Sequence, residues 1–67
     1  MSIHTITSHV SRISGLRQAY AVREIGERDI VEVSDEYEGS PRRWFRRSRL
    51  EARREWRRRL AKGWVTV

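Results

Sequence analysis

Ten arginines fall within the 18 residues at positions 42–59, the densest chemical signal in this 67-residue chain. A guanidinium group is planar, permanently charged and donates from a fixed fork of five N–H groups. It therefore grips phosphate or carboxylate in bidentate fashion and stacks on aromatic faces. Trp44, Phe45 and Trp56 are interleaved with these arginines, and Trp64 follows them. Cation and ring together suit single-stranded nucleic acid, with charge for the backbone and a flat surface for the base. Arg and Trp are also enriched at the energetic centres of protein interfaces. The chemistry on offer is recognition of an anion.

Other constellations are weak. Asp35, Glu36 and Glu38 crowd around Tyr37, but strand alternation sends neighbouring carboxylates to opposite faces, away from a common metal ion. Such acids fit a solvated surface better, or a role in screening arginines. His4 and His9 stand five apart, which matches no usual metal-ligand spacing. Cysteine is absent, which removes disulfides, thiolate zinc sites and cysteine nucleophiles. The sequence has no Gly-rich phosphate loop and no G-x-S-x-G. The expectation is a non-enzymatic binding protein with no cofactor and no metal.

Charge is divided along the chain. Fourteen Arg stand against a single Lys, for a net charge of +6. Residues 1–40 carry four Arg and seven acids, a net of −3. Residues 41–67 carry ten Arg, Lys62, Glu51 and Glu55, a net of +9. Such asymmetry suits a basic module aimed at a polyanion, or two parts that neutralise each other. No apolar run approaches the length of a membrane span, and Met1-Ser2-Ile3-His4 lacks the start of a secretory signal. A cytoplasmic protein with no membrane partner is expected.

Elements must hold these side chains in place. Residues 1–67 read as one small domain: an acidic β-rich part (1–39), a basic helix (40–63) and a short tail (64–67). Ile30-Val31-Glu32-Val33-Ser34-Asp35-Glu36-Tyr37 alternates and is rich in β-branched residues. With Gly26 in the connection, residues 18–25 and 29–37 predict a β-hairpin. Ile3, Ile6, Val10 and Ile13 have a helical spacing, yet their β-branching favours a first strand. The fold class is α+β, with two to three antiparallel strands packed against one C-terminal Arg-rich helix.

Ser40-Pro41 reads as an N-cap with Pro at the first helical position, and Lys62-Gly63 as a stop, which favours a helix over 41–62. Ser48-Arg49-Leu50-Glu51 offers a second start with a capping box, which would leave residues 43–47 as a short edge strand. Trp64-Val65-Thr66-Val67 could return as a short strand or pack back on the core. On the longer helix, Phe45, Ala52, Trp56 and Leu60 form one apolar stripe. Arg43, Arg46, Arg47, Arg53, Arg54, Arg57 and Arg58 then share one broad face. Trp44, off the stripe, is the candidate for base stacking. Like charges at i, i+4 in this helix repel by about 1 kcal/mol in sum, a cost that a bound anion would relieve.

The density of Arg in this segment, with Glu, Ala and Trp interspersed, is similar in composition to the Arg-rich RNA-binding helices of phage antitermination peptides. Three functions remain open. The arginine face could bind the RNA or DNA backbone. It could dock on an acidic protein surface, as compact inhibitors and adaptors of phage or mobile-element type do. Or the acidic and basic parts of neighbouring copies could pair in a homodimer or larger oligomer, which would enlarge a small core.

Overall fold

The computed structural model describes residues 2–67, so the first residue of the predicted opening strand lies outside the described residues. Five strands and one helix follow in the order β1 (Ile3–Thr7), β2 (Gln18–Glu24), β3 (Ile30–Tyr37), β4 (Phe45–Ser48), α1 (Arg49–Ala61) and β5 (Val65–Thr66). The strands form one antiparallel sheet in the order β4-β3-β2-β1-β5. The class is α+β as expected, but the sheet has five strands rather than two or three.

Alternation decides which face the helix covers. Val31 and Val33 of β3, Tyr20 and Val22 of β2 and Ile6 of β1 lie side by side in register. Together they form an apolar patch. The helix lays Ala52 and Trp56 on it, and Ile6, Tyr20, Val31, Val33 and Ala52 are buried. The Tyr20 and Trp56 rings pack tilted, with centroids 6.3 Å apart. Positions one residue away, such as Arg23, Glu32 and Ser34, point to the other face, which no helix covers. The hairpin β2–β3 ends within one residue of the predicted bounds. Its turn needs a positive φ, which Gly26 supplies at 81°.

The opening segment is a strand. Ile3 and Ile6 belong to β1, whereas Val10 and Ile13 stand exposed in the 8–17 connection. Their helical spacing carries no helix, because β-branched residues gain more from pairing with β2 than from a helical turn. Ser8 closes this connection: its N–H donates to Gln18 O, and its Oγ accepts from Gln18 N at 2.9 Å.

The helix does not run from 41 to 62. Residues 45–48 pair with β3 in the register Ile30↔Ser48 to Val33↔Phe45, and the helix begins at Arg49. Ser48 is the N-cap, its Oγ accepting from Glu51 N at 3.1 Å. Ser40-Pro41 therefore caps nothing. Two forces favour the shorter helix. Pairing with β4 satisfies backbone groups on the outer edge of β3, which a long helix would leave bare. Taking residues 42–48 out of the helix also removes the i, i+4 repulsion of Arg42/Arg46 and Arg43/Arg47.

The C-terminal stop is where the sequence placed it. Gly63 N donates to Leu60 O and Trp64 N to Arg59 O, a Schellman arrangement around Gly63 at φ +96°. This turn reverses the chain so that β5 pairs with β1 through Ile6↔Thr66 and Thr7↔Val65. It also brings Trp64 against the core.

Candidate functional site

Five arginines are held by acids, which separates them from the rest. Arg59 donates from Nη1 and Nη2 to the two Asp35 oxygens at 2.8 and 2.6 Å, and from Nε to Glu55 at 2.6 Å. Its guanidinium carbon also lies 4.4 Å from the Tyr20 ring centre and 4.7 Å from that of Trp64. Arg49 grips the Glu24 carboxylate with two nitrogens and donates to the Arg28 and Glu27 carbonyls. Arg58 pairs with Glu55, Arg23 with Glu32 and Arg17 with Glu38. The expectation that acids of the β-rich part screen helix arginines is thus realised for Asp35–Arg59 and Glu24–Arg49.

These pairs leave a signature on the acids. Hydrogen bonds from Arg58 and Arg59 hold the Glu55 carboxyl at a pKa of about 2. The hydrogen bond from Arg49 lowers that of Glu24. Burial raises the Tyr20 hydroxyl above its usual value, against the field of Arg59. Among the described residues, no group of His, Asp or Glu is arranged to hold a metal ion.

The outer face of α1 has a different character. With Arg49 at zero and 100° per residue, Ala52, Trp56 and Arg59 fall between about 280° and 340°, facing the sheet. Arg53, Arg57, Arg54 and Arg58 follow from about 40° to 180° and are exposed. Arg53, Arg54 and Arg57 have no acid partner among the described residues. Leu50 sits in the middle of this arc, and it is 59% exposed.

The remaining predicted site residues lie elsewhere, so the single seven-arginine face does not exist. Arg43 and Trp44 precede β4, while Arg46 and Arg47 belong to it. Arg46 stands opposite Glu32 on the uncovered face. Arg47 points to the helix side, its guanidinium 5.7 Å from the Phe45 ring centre. Phe45, expected on the helical stripe, is instead a half-exposed strand residue, and Leu60 is partly exposed at the helix end. Trp44 is half-buried, with Arg23 4.2 Å and Arg42 5.8 Å from its ring centre. Its ring is engaged by the protein's own cations.

A groove that sequence reasoning missed opens between α1 and the sheet. Its volume is about 390 Å³, its floor is Val22, Val31, Ala52 and Trp56, and Arg53, Arg57, His4 and Arg49–Glu24 surround it. The floor residues come from three elements brought together only by packing, so no local pattern announces them. On the other side of the helix, a second groove of about 380 Å³ is lined by Arg47, Glu51, Glu55 and Arg59, whose charges offset one another. The two sides thus differ in charge: the first offers unpaired cations above an apolar floor. No helix is long and apolar enough to cross a membrane. No family model, curated protein or solved structure matches the chain.

Proposed function

We propose that this protein is a non-enzymatic binding module that holds the phosphate backbone of a nucleic acid on the outer face of α1. The observation that carries the reading is the contrast between Arg53, Arg54 and Arg57, exposed without acid partners, and Arg17, Arg23, Arg49, Arg58 and Arg59, each matched to a carboxylate. The chain has acids enough to pair more of its arginines, and these three remain open. They repel one another at i, i+4 spacing by roughly 0.2–0.5 kcal/mol per pair, which phosphate oxygens relieve. Arg58 and the arginines of 42–47 extend the positive field around the same end of the molecule.

Fluorescence anisotropy with labelled single strands, duplexes and RNA hairpins over a salt series tests this. Three or four neutralised phosphates give a slope of log K against log salt between about −2 and −4. The triple substitution Arg53→Gln, Arg54→Gln, Arg57→Gln reduces that slope by about 2 to 3 while the far-UV circular dichroism stays unchanged. Absence of salt-dependent binding to every probe rejects the proposal.

A second reading rests on Leu50. An exposed apolar side chain ringed by arginines suits an acidic protein surface with an apolar centre. Capture of a protein partner that survives nuclease and is lost in Leu50→Ser favours this reading over the first.

A further inference from the structure

We propose that the groove between α1 and the sheet seats an unstacked base of a single-stranded nucleic acid, with the flanking phosphates on Arg53 and Arg57. The inference rests on the phosphate-binding reading above and names the form of nucleic acid that reading leaves open.

The groove's composition separates into two parts. Val22, Val31, Ala52 and Trp56 make an apolar floor that includes an aromatic ring. Arg53 and Arg57 stand at the rim, exposed and without acid partners among the described residues. A ligand that satisfies both parts needs a flat apolar body and negative charge just outside it. A nucleotide has that construction, and its base stacks or packs on a ring while its phosphate meets a guanidinium. The volume of about 390 Å³ leaves room for one base with part of its sugar.

Spacing extends the argument from one nucleotide to a strand. Arg53 and Arg57 are one helical turn apart, about 6 Å along the axis. Successive phosphates of an extended strand have a similar separation, so both guanidinium groups can be used at once. A stacked duplex cannot supply the base, because its bases are turned inward; a single strand can, at a lower cost of unstacking. Trp44, the stacking candidate from sequence, is already engaged by Arg23 and Arg42, whereas Trp56 lines an open groove.

The test compares an oligothymidylate of eight nucleotides with an abasic strand of the same length, titrated into the isotopically labelled full-length protein and followed by NMR. Oligothymidylate should shift the Trp56 indole N–H and the Val22 methyl signals and leave the Trp44 indole in place. The abasic strand, which keeps the phosphates, should bind roughly ten-fold or more weakly and leave Trp56 unmoved. A duplex of equal charge should also leave Trp56 unmoved. His4→Trp, at the exposed rim of the groove, should weaken oligothymidylate and spare the abasic strand, with the spectrum itself reporting that the protein is folded. Equal affinity for both strands with Trp56 unmoved overturns the groove inference and leaves the phosphate reading standing. Binding of neither strand overturns both. If a peptide alternating Glu and Phe shifts Trp56 when neither strand does, the occupant is an acidic protein segment and the proposal falls.

Discussion

Arg59 at the end of α1 and Asp35 in β3 meet as a two-pronged ion pair, with both guanidinium Nη atoms on both carboxylate oxygens at 2.8 and 2.6 Å. The Arg59 side chain is only 13% exposed, and it lies between the Tyr20 and Trp64 rings. One residue of the basic segment thus locks the helix to the sheet and the chain terminus to the core.

Removal of that lock should be the most damaging change in the basic segment. Arg59→Ala leaves Asp35 unpaired and opens space between two aromatic rings. The expected loss is about 2–3 kcal/mol, below the value for a fully buried pair because Asp35 keeps contact with water. In a domain this small that lowers the melting temperature by roughly 10 °C or more. Arg59→Lys keeps the charge but not the fork or the stacking, and should recover less than half of the loss. Thermal melts of the two variants decide it; an Arg59→Ala melt within about 2 °C of the parent refutes the structural role.

Acid should loosen the same corner. The Glu55 pKa is depressed from 4.5 to about 2 by Arg58 and Arg59. A carboxylate with a lowered folded pKa adds stability that is complete above its unfolded value and is lost as pH falls through the folded one. Glu55 therefore contributes in full at neutral pH, and this contribution disappears between about pH 4.5 and 2. Glu24, lowered by its bond to Arg49, acts in the same direction. Urea denaturation of Glu55→Gln should show lower stability at pH 7 and a flatter dependence across the acid window. A slope equal to that of the parent would contradict the assignment.

Both ends of the helix carry separable contributions. Ser48→Ala removes the acceptor for Glu51 N and should cost about 1 kcal/mol, while Ser48→Asp should retain most of it. Gly63→Ala must place a Cβ at φ +96°, 3.2 Å from His9 Nε2, and should cost 1 kcal/mol or somewhat more, roughly. Chemical denaturation measures both. Pro substitutions at positions 42–44 should leave helical content unchanged, because α1 starts at Arg49. A fall in the circular dichroism signal at 222 nm would instead support a helix that begins near residue 41.

Binding and stability should separate within the arginine cluster. Arg53→Gln with Arg57→Gln removes like-charge repulsion and should leave stability unchanged or raise it by a few tenths of a kcal/mol, roughly. The same double variant should lose salt-dependent binding to nucleic acid. Arg59 variants should show the reverse, with lost stability and near-parental binding measured below their melting temperature. A loss of binding confined to Arg59 would place the functional anion at the wrong end of the helix.

Much of this molecule is written locally. Alternation in residues 30–37 specifies a strand with Val31 and Val33 on one face, and Gly26 marks the hairpin turn. Lys62-Gly63 specifies the helix stop. The acids of residues 24–38 suggest a screen for arginines. Each of these features depends on neighbours within a few positions, where rotamer limits, φ preferences and capping hydrogen bonds operate.

Tertiary structure decided the rest, because the competing local signals were nearly equal. Both Ser40-Pro41 and Ser48-Arg49-Leu50-Glu51 are sound helix starts. The free edge of β3 tipped the balance by recruiting Phe45–Ser48 as β4. That choice moved Arg43, Arg46, Arg47 and Trp44 off the helix and divided the arginines between two faces. Which guanidinium groups are tied down was equally unreadable, since Asp35 and Arg59 lie 24 residues apart and Glu24 and Arg49 lie 25 apart. The sequence by itself determined that ten arginines crowd one stretch. Only packing across those distances determined that Arg49 and Arg59 hold the fold together while Arg53, Arg54 and Arg57 face outward unpaired.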